Sequence, residues 1–282
     1  MTAVIDPPVA TAVTSPLVTP RFLGARRPRR VVSLAARLAV PGLLLLLWWY
    51  ATSRDLISEE VLAGPGAVVR ALRELASTGQ LAEYLLASFG RAAPGVLIGT
   101  LAGLLLGLWT GLSAIGERLA DPVMQMKRAV PFLALVPLFI SWFGVDELFK
   151  VVLIAVATAS PMYAYTYLGV RGVDRKLVEA ARTFGLSGVR LVAGVILPTA
   201  LPNILMALRI SLSVSLVGLI AAEQVGATAG IGYLVTLAQQ YYRNDYMVLC
   251  ILLYAVLGIA IDLGVRGLER LAMPWRRHQE AR

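Results

Sequence analysis

Apolar residues in this chain gather in six long blocks: Val31–Ser53, Ser88–Leu112, Val123–Phe143, Leu148–Val170, Ala200–Ala222 and Met247–Leu268. Each reaches the ~20 residues a helix needs to cross a bilayer. The pattern predicts an all-α membrane protein with six transmembrane helices. Between the first two blocks, GPGAVVRALRELASTG puts Pro65 at a helix start and Val68, Leu72 and Leu75 on one side. That spacing predicts a short interfacial helix packed on the bundle.

Within the second block, Gly95, Gly99, Gly103, Gly107 and Gly111 recur every fourth residue. A smooth stripe of this kind lets another helix approach closely in lipid, whether from the same chain or from a second copy. Pro131, Pro137 and Pro161 fall in the third and fourth blocks. Each removes a backbone donor and bends or breaks its helix.

Composition sharpens the picture. Of 282 residues, 58% are apolar and 15% charged, too apolar for an ordinary soluble domain. One cysteine and one histidine exclude a disulfide framework and argue against a metal site. Residues 1–30 read as a disordered basic tail, 31–270 as the membrane domain and 271–282 as a second tail. With Arg91 and Arg209 set aside as lying inside or at the edge of blocks, the lysines and arginines divide 19 to 5 in favour of the side carrying both termini, Arg118, Lys127 and Arg128 being counted on that side. The positive-inside rule therefore places both termini in the cytoplasm. Most of the net +9 charge belongs to topology, so nucleic acid is not an expected partner, whereas membrane lipid is.

Ionisable groups within the blocks are costly in hydrocarbon and mark protein-facing or wet positions. At 100° per residue, Arg209, Ser213, Ile220 and Glu223 lie within about 40° of one direction. This stripe makes Arg209, Ser213 and Glu223 candidates for a solute path; the alternative is two residues each reaching its own headgroup region. Asp262 reads as a structural partner of a nearby arginine. Tyr163, Tyr165 and Tyr167 do not share one helical face and read as an interfacial aromatic belt.

The segment EAARTFGLSGVRLVAGVILP departs from all of this. Asp174 is a plausible N-cap and Gly185 a plausible stop, leaving a helix of roughly 15 Å, too short to span. Leu177, Ala180, Ala181 and Phe184 form one apolar face, with Arg175, Lys176, Glu179 and Arg182 around it. A second helix is expected after Ser187, yielding at Pro198. Such a small helix either enters a groove on another protein or packs back on its own bundle.

From Glu179 to Pro198 the segment resembles the EAA signature of binding-protein-dependent ABC importer permeases. Glu179, Ala180, Ala181, Gly185, Leu197 and Pro198 are in register, with Val195 where isoleucine is usual. The stretches 116–150, 173–188, 221–234 and 251–258 resemble the branch carrying aliphatic sulfonates, taurine and nitrate, the sulfonate permeases most closely. The resemblance implies a type I importer fold in which 174–197 holds the coupling helices and Glu179, Ala180, Ala181 and Gly185 touch the ATPase. It also implies a second permease copy, a cytoplasmic ABC ATPase dimer and an extracytoplasmic binding protein, with the permease in the bacterial inner membrane. No lysine lies in a phosphate-binding Gly-Lys-Ser/Thr sequence. No catalytic residue and no cofactor are therefore expected here; ATP and Mg would belong to the partner ATPase. Nitrate, taurine or another small solute is the alternative cargo. An ion-coupled secondary transporter would need paired carboxylates or inverted repeats, which the sequence does not display, and a purely structural membrane protein would not need the EAA segment.

Overall fold

The computed structural model describes residues 30–59 and 61–274. Most of both expected tails lies outside these residues. Among the described residues there are helices and no strands: α1 (Arg30–Ser53), α2 (Pro65–Ser77), α3 (Gln80–Leu112), α4 (Ala114–Ala129), α5 (Val136–Phe143), α6 (Glu147–Arg171), α7 (Arg175–Thr183), α8 (Gly188–Leu191), α9 (Leu197–Glu223), α10 (Ile231–Gln240) and α11 (Asn244–Ala272). The chain divides into two units at Leu47/Trp48. The first contributes the beginning of α1, an apolar helix with Pro41 inside it. The second contains α2 to α11.

Four runs are long and apolar enough to cross a membrane: α3, α6, Gly188–Glu223 and α11. A fifth is broken, with α4 and the Phe132–Phe143 segment meeting at 88°. Six regular spans are thus not reached among the described residues, because the third is broken and the described apolar part of α1, Ala39–Ser53, is short. The break has a local cause. Pro131 pushes the residue before it out of the helical region, and Val130 sits at φ −87°, ψ 118°. A 3₁₀ turn at Phe132–Leu135 then leads into α5, with Pro137 in its first turn, where the missing N–H does no harm. Pro161, by contrast, stays inside a continuous α6.

The centre of the bundle is α6 between α3 and α9. All five glycines of the α3 stripe face α6, four of them buried and Gly111 half-buried. A Cβ on Gly95 or Gly107 would lie 2.8 Å from Ile154 or Thr166, and one on Gly111 would lie 2.7 Å from Val170. These distances leave no room for a methyl, so the helices meet backbone to backbone. On the other side, Ser211 Oγ donates to the Thr158 carbonyl at 3.0 Å, joining α9 to α6.

The α4 helix climbs antiparallel along α6 through a ladder of polar contacts. Tyr167 Oη and Arg171 both donate to Glu117. Tyr163 Oη donates to Asp121 at 2.8 Å, and Lys127 reaches Val156 and Ser160. This corrects the aromatic-belt reading for two of the three tyrosines. Tyr163 is fully buried, and it stacks on Tyr167 at 6.1 Å because residues four apart share a helix face. Lys127, counted from the sequence among the cations of the cytoplasmic side, lies beside the middle of α6.

At the end where α9 finishes, α2, α10 and the first turns of α11 enclose a separate apolar core containing Val68, Leu75, Leu234 and Leu249. The expected interfacial helix is α2, but its buried face is Val68, Ala71 and Leu75; Leu72 points outward, on the edge of that face. At the opposite end, α8 does not yield at Pro198. A π turn at Val192–Ile196 carries it into α9. Pro198 has no N–H for the helical ladder, and the wider turn absorbs that loss without a break.

Candidate functional site

The short helix α7 projects from the end of the bundle opposite α10. Asp174 Oδ1 accepts from the Lys176 amide at 2.9 Å, closing the first turn. Its last turn ends in Gly185 at φ +81°, a left-handed position that suits glycine. Of the apolar face, Ala181 is buried, while Leu177 is 45% and Phe184 87% exposed. Glu179 and Ala180 are also exposed, and Val189 on the following α8 is 83% exposed. The bundle therefore holds one residue of this face and leaves the rest uncovered, which does not match a helix folded back on its own core.

The three residues of the expected solute stripe are not brought together. Arg209 turns to α11, donating to Glu269 at 2.8 Å and lying 3.5 Å from Asp262, which also pairs with Arg266. Ser213 is exposed and its hydroxyl donates to the Arg209 carbonyl. Glu223 is buried at the far end of α9, 1% exposed.

Around Glu223 the chain builds a closed ionic knot. Arg91 Nη1 donates to Glu223 Oε1 at 2.8 Å and also to the Ala229 carbonyl. The rest of the Arg91 guanidinium forms a bidentate pair with Glu147, at 2.6 and 3.0 Å. Lys150 Nζ donates to the same carboxylate at 2.8 Å. Ser88 Oγ lies within 2.9 Å of both Glu223 oxygens and accepts from the Ile231 amide, while the Gly232 amide donates to Glu223 Oε2. Those two amides are orphan donors of the first turn of α10, whose own N-cap is Gly230. Glu223 and Ser88 cap α10 from two other helices. A side chain at Gly230, where φ is +130°, would collide with the Glu223 carboxylate, so glycine there is a condition of the knot.

Four membrane-length apolar runs, a broken fifth span and a short uncovered helix in EAA register are features of a transport component. Residues 95–272 match the family described as binding-protein-dependent transport system inner membrane component. The chain belongs to that family. A permease subunit named for aliphatic sulfonate transport, SsuC of Bacillus subtilis (strain 168), is 40% identical over 86% of this chain and 88% of its own length. Its namesake in Escherichia coli (strain K12) is 44% identical over 84% of this chain and 90% of its own. The taurine transport system permease protein TauC of Escherichia coli (strain K12) is 34% identical over 83% and 87%. Among solved structures, an amino acid ABC transporter aligns with TM-score 0.60 at 22% identity, covering 71% of this chain and 97% of that one. The MetNI methionine ABC transporter, in an inward-facing form, aligns with TM-score 0.56 at 23% identity, covering 69% and 95%. These two likenesses concern the fold.

In this permease, sequence reasoning missed Arg91, Glu147 and Lys127. Arg91 was placed only as a cation inside or at the edge of a span, and its partner Glu223 is 132 residues away. A signal was available, since an arginine inside one apolar block and a glutamate at the very edge of another call for each other. Lys127 was hidden by its neighbour Arg128, because adjacent basic residues read as a cytoplasmic border. Among the described residues no cluster of His, Cys, Asp and Glu is arranged to hold a metal ion.

Proposed function

We propose that this permease forms, as a pair of copies, the passage of an ATP-driven importer for aliphatic sulfonates in the bacterial inner membrane, with both termini cytoplasmic. The observation that carries the reading is α7: a helix in EAA register whose apolar face is left uncovered by its own bundle. A helix of that size with an alanine-lined face and a charged rim suits a groove on a soluble partner. Glu179, Ala180, Ala181 and Gly185 are the contact with an ABC ATPase dimer, which binds the ATP and Mg. A π turn makes α8 continuous with the 27-residue α9, and only residues 184–187 separate α7 from α8, so a displacement of the docked helix is passed into a membrane span. Substrate reaches the opposite face on a separate binding protein.

The sulfonate assignment rests on two relatives of that name at 40% and 44% identity. Taurine is the runner-up, supported by the 34% relative. The polar residues first placed on a path divide in this reading. Arg209 fastens α9 to α11, Ser213 bonds back to its own helix, and Glu223 locks α10.

The test is uptake of labelled ethanesulfonate, with taurine and nitrate as competitors, in cells lacking the chain and complemented with the native form or with Glu179→Arg. Uptake restored by the native form alone, at equal membrane abundance of the two, is the expected result. Taurine or nitrate uptake without ethanesulfonate uptake would overturn the substrate. Full activity of Glu179→Arg would overturn the docking role of α7.

A further inference from the structure

The break in the third span leaves a cavity of about 350 Å³ between α4, α6 and α9, within the roughly 300–1,000 Å³ usual for small-molecule sites. Two cations, Lys127 and Arg128, line it together with Ser160 and an apolar wall that includes Phe132, Val156 and Val214. Lys127 Nζ donates to the Val156 carbonyl at 2.6 Å and to Ser160 Oγ at 2.5 Å, two of its three donors. Among the described residues neither cation forms an ion pair. The nearby carboxylate Asp121 is occupied by Tyr163 and Gln125. Val156 and Ser160 lie on the 25-residue α6 within about 5 Å of its midpoint, from the helical rise.

This combination is expensive unless it serves a purpose. A cation deep in a membrane bundle ordinarily meets a carboxylate or lines a solute route. Transporters place ligand sites near the bilayer midplane, where a span is broken. The cavity also has a way out. A second cavity of about 500 Å³, lined by Asp121, Gln125 and Tyr167, shares Arg128 and Ala164 with it and follows the polar ladder toward the α7 end.

We infer that the Lys127 cavity is the permease's intramembrane anion site. Lys127 and Arg128 receive the charged head of a small organic anion, Ser160 donates to it, and Phe132, Val156 and Val214 cover its short alkyl part. The choice of an alkylsulfonate as ligand rests on the proposed sulfonate function; the anion site itself rests on the two cations and the cavity. Lys127 donates only to neutral acceptors, so an arriving anion gains a charge-assisted contact without first breaking an ion pair.

The test uses the assembled transporter in vesicles, with Cys250→Ala removing the native thiol and Val214→Cys placing one in the cavity wall. Its labelling rate is measured with the anionic reagent sulfonatoethyl methanethiosulfonate and with its cationic trimethylammonioethyl counterpart, each relative to its rate with free thiol. Focusing by two cations favours the anionic reagent by about tenfold or more. Lys127→Met removes most of that preference, Lys127→Arg keeps it, and ethanesulfonate protects the thiol in the parent. Equal rates for the two reagents, a preference unchanged in Lys127→Met, or no labelling by either would overturn the site. Ethanesulfonate uptake continuing alongside those results would leave the sulfonate function standing. Protection by nitrate but not by ethanesulfonate, with the Lys127 dependence intact, would support the anion site and overturn the alkylsulfonate as its ligand.

Discussion

Arg91 and Lys127 both carry positive charge into the bundle, one at the α10 end and the other beside the middle of α6. They are held in opposite ways. Arg91 meets two carboxylates and a carbonyl, and its principal partner Glu223 has every neighbour arranged around it, down to a glycine where any side chain would collide. Lys127 meets a carbonyl and a hydroxyl, beside a second cation and an open cavity. A charge matched by opposite charge and enclosed by backbone is part of the scaffold. A charge matched by dipoles alone, with space beside it, is available to something that is not part of the protein.

The comparison breaks most readily at Arg91. Arg91→Met leaves Glu223 buried without a countercharge, which destabilises by about 3–5 kcal/mol. The expected outcome is a sharp loss of folded protein from membranes, followed by immunodetection and by thermal melting of what remains. Adding Glu223→Gln returns part of the loss, because the orphan charge goes with it. A double variant as unstable as the sum of the two singles would mean that the pair is not coupled.

A second prediction separates tight from loose packing on one helix. Gly99→Ala forces α3 away from α6 and lowers stability by about 1–3 kcal/mol, the usual range for overpacking. Gly90 lies on the same helix with nothing within 4 Å of its would-be Cβ. Gly90→Ala therefore holds or raises the melting temperature, as expected when a helix-interior glycine gains about 0.5–1 kcal/mol on becoming alanine.

At Lys127 the expected sign is different. Lys127→Met removes no ion pair, so membrane abundance and melting temperature stay close to native while ethanesulfonate uptake falls about tenfold, the lower bound for electrostatic focusing. The smallest effect belongs to the exposed rim. Arg243 donates to Glu74 at 3.0 Å, and that hydrogen bond, followed by one from Tyr246, holds the Glu74 carboxyl below its ordinary value. A carboxylate depressed in this way stabilises above its unfolded pKa of ~4.3 and loses that contribution as pH falls through its lower folded value. The small melting difference between native protein and Glu74→Gln should therefore be present at pH 7 and vanish in acid.

Much of this permease could be read from one-dimensional spacing. Four-residue periodicity located the α3 stripe, the Asp174 cap lies two residues from the amide it holds, and the EAA register is contiguous. Such features depend on neighbours within one or two helical turns. What could not be read depends on which helices meet. The stripe had no means of announcing that its partner is α6 of the same chain. The polar face through Arg209, Ser213 and Glu223 has its ends 14 residues apart along α9, and each end answers to a different helix: α11 for Arg209, α3 and α10 for Glu223. Tyr163 and Tyr167 looked like a membrane-surface belt because Glu117 and Asp121 of α4 were not known to lie opposite. Pro131 and Pro198 have the same chemistry and different outcomes. One breaks its span by 88° and the other is absorbed in a π turn, a choice made by the packing around them.

The most direct measurement is ethanesulfonate uptake divided by membrane abundance, for Arg91→Met and Lys127→Met side by side in complemented cells. The account predicts that Arg91→Met loses abundance and that the molecules which do assemble transport at close to the native rate. It predicts that Lys127→Met keeps its abundance and loses transport per molecule. The reverse pattern, with Lys127→Met transporting normally per molecule and Arg91→Met abundant but inactive, would contradict it.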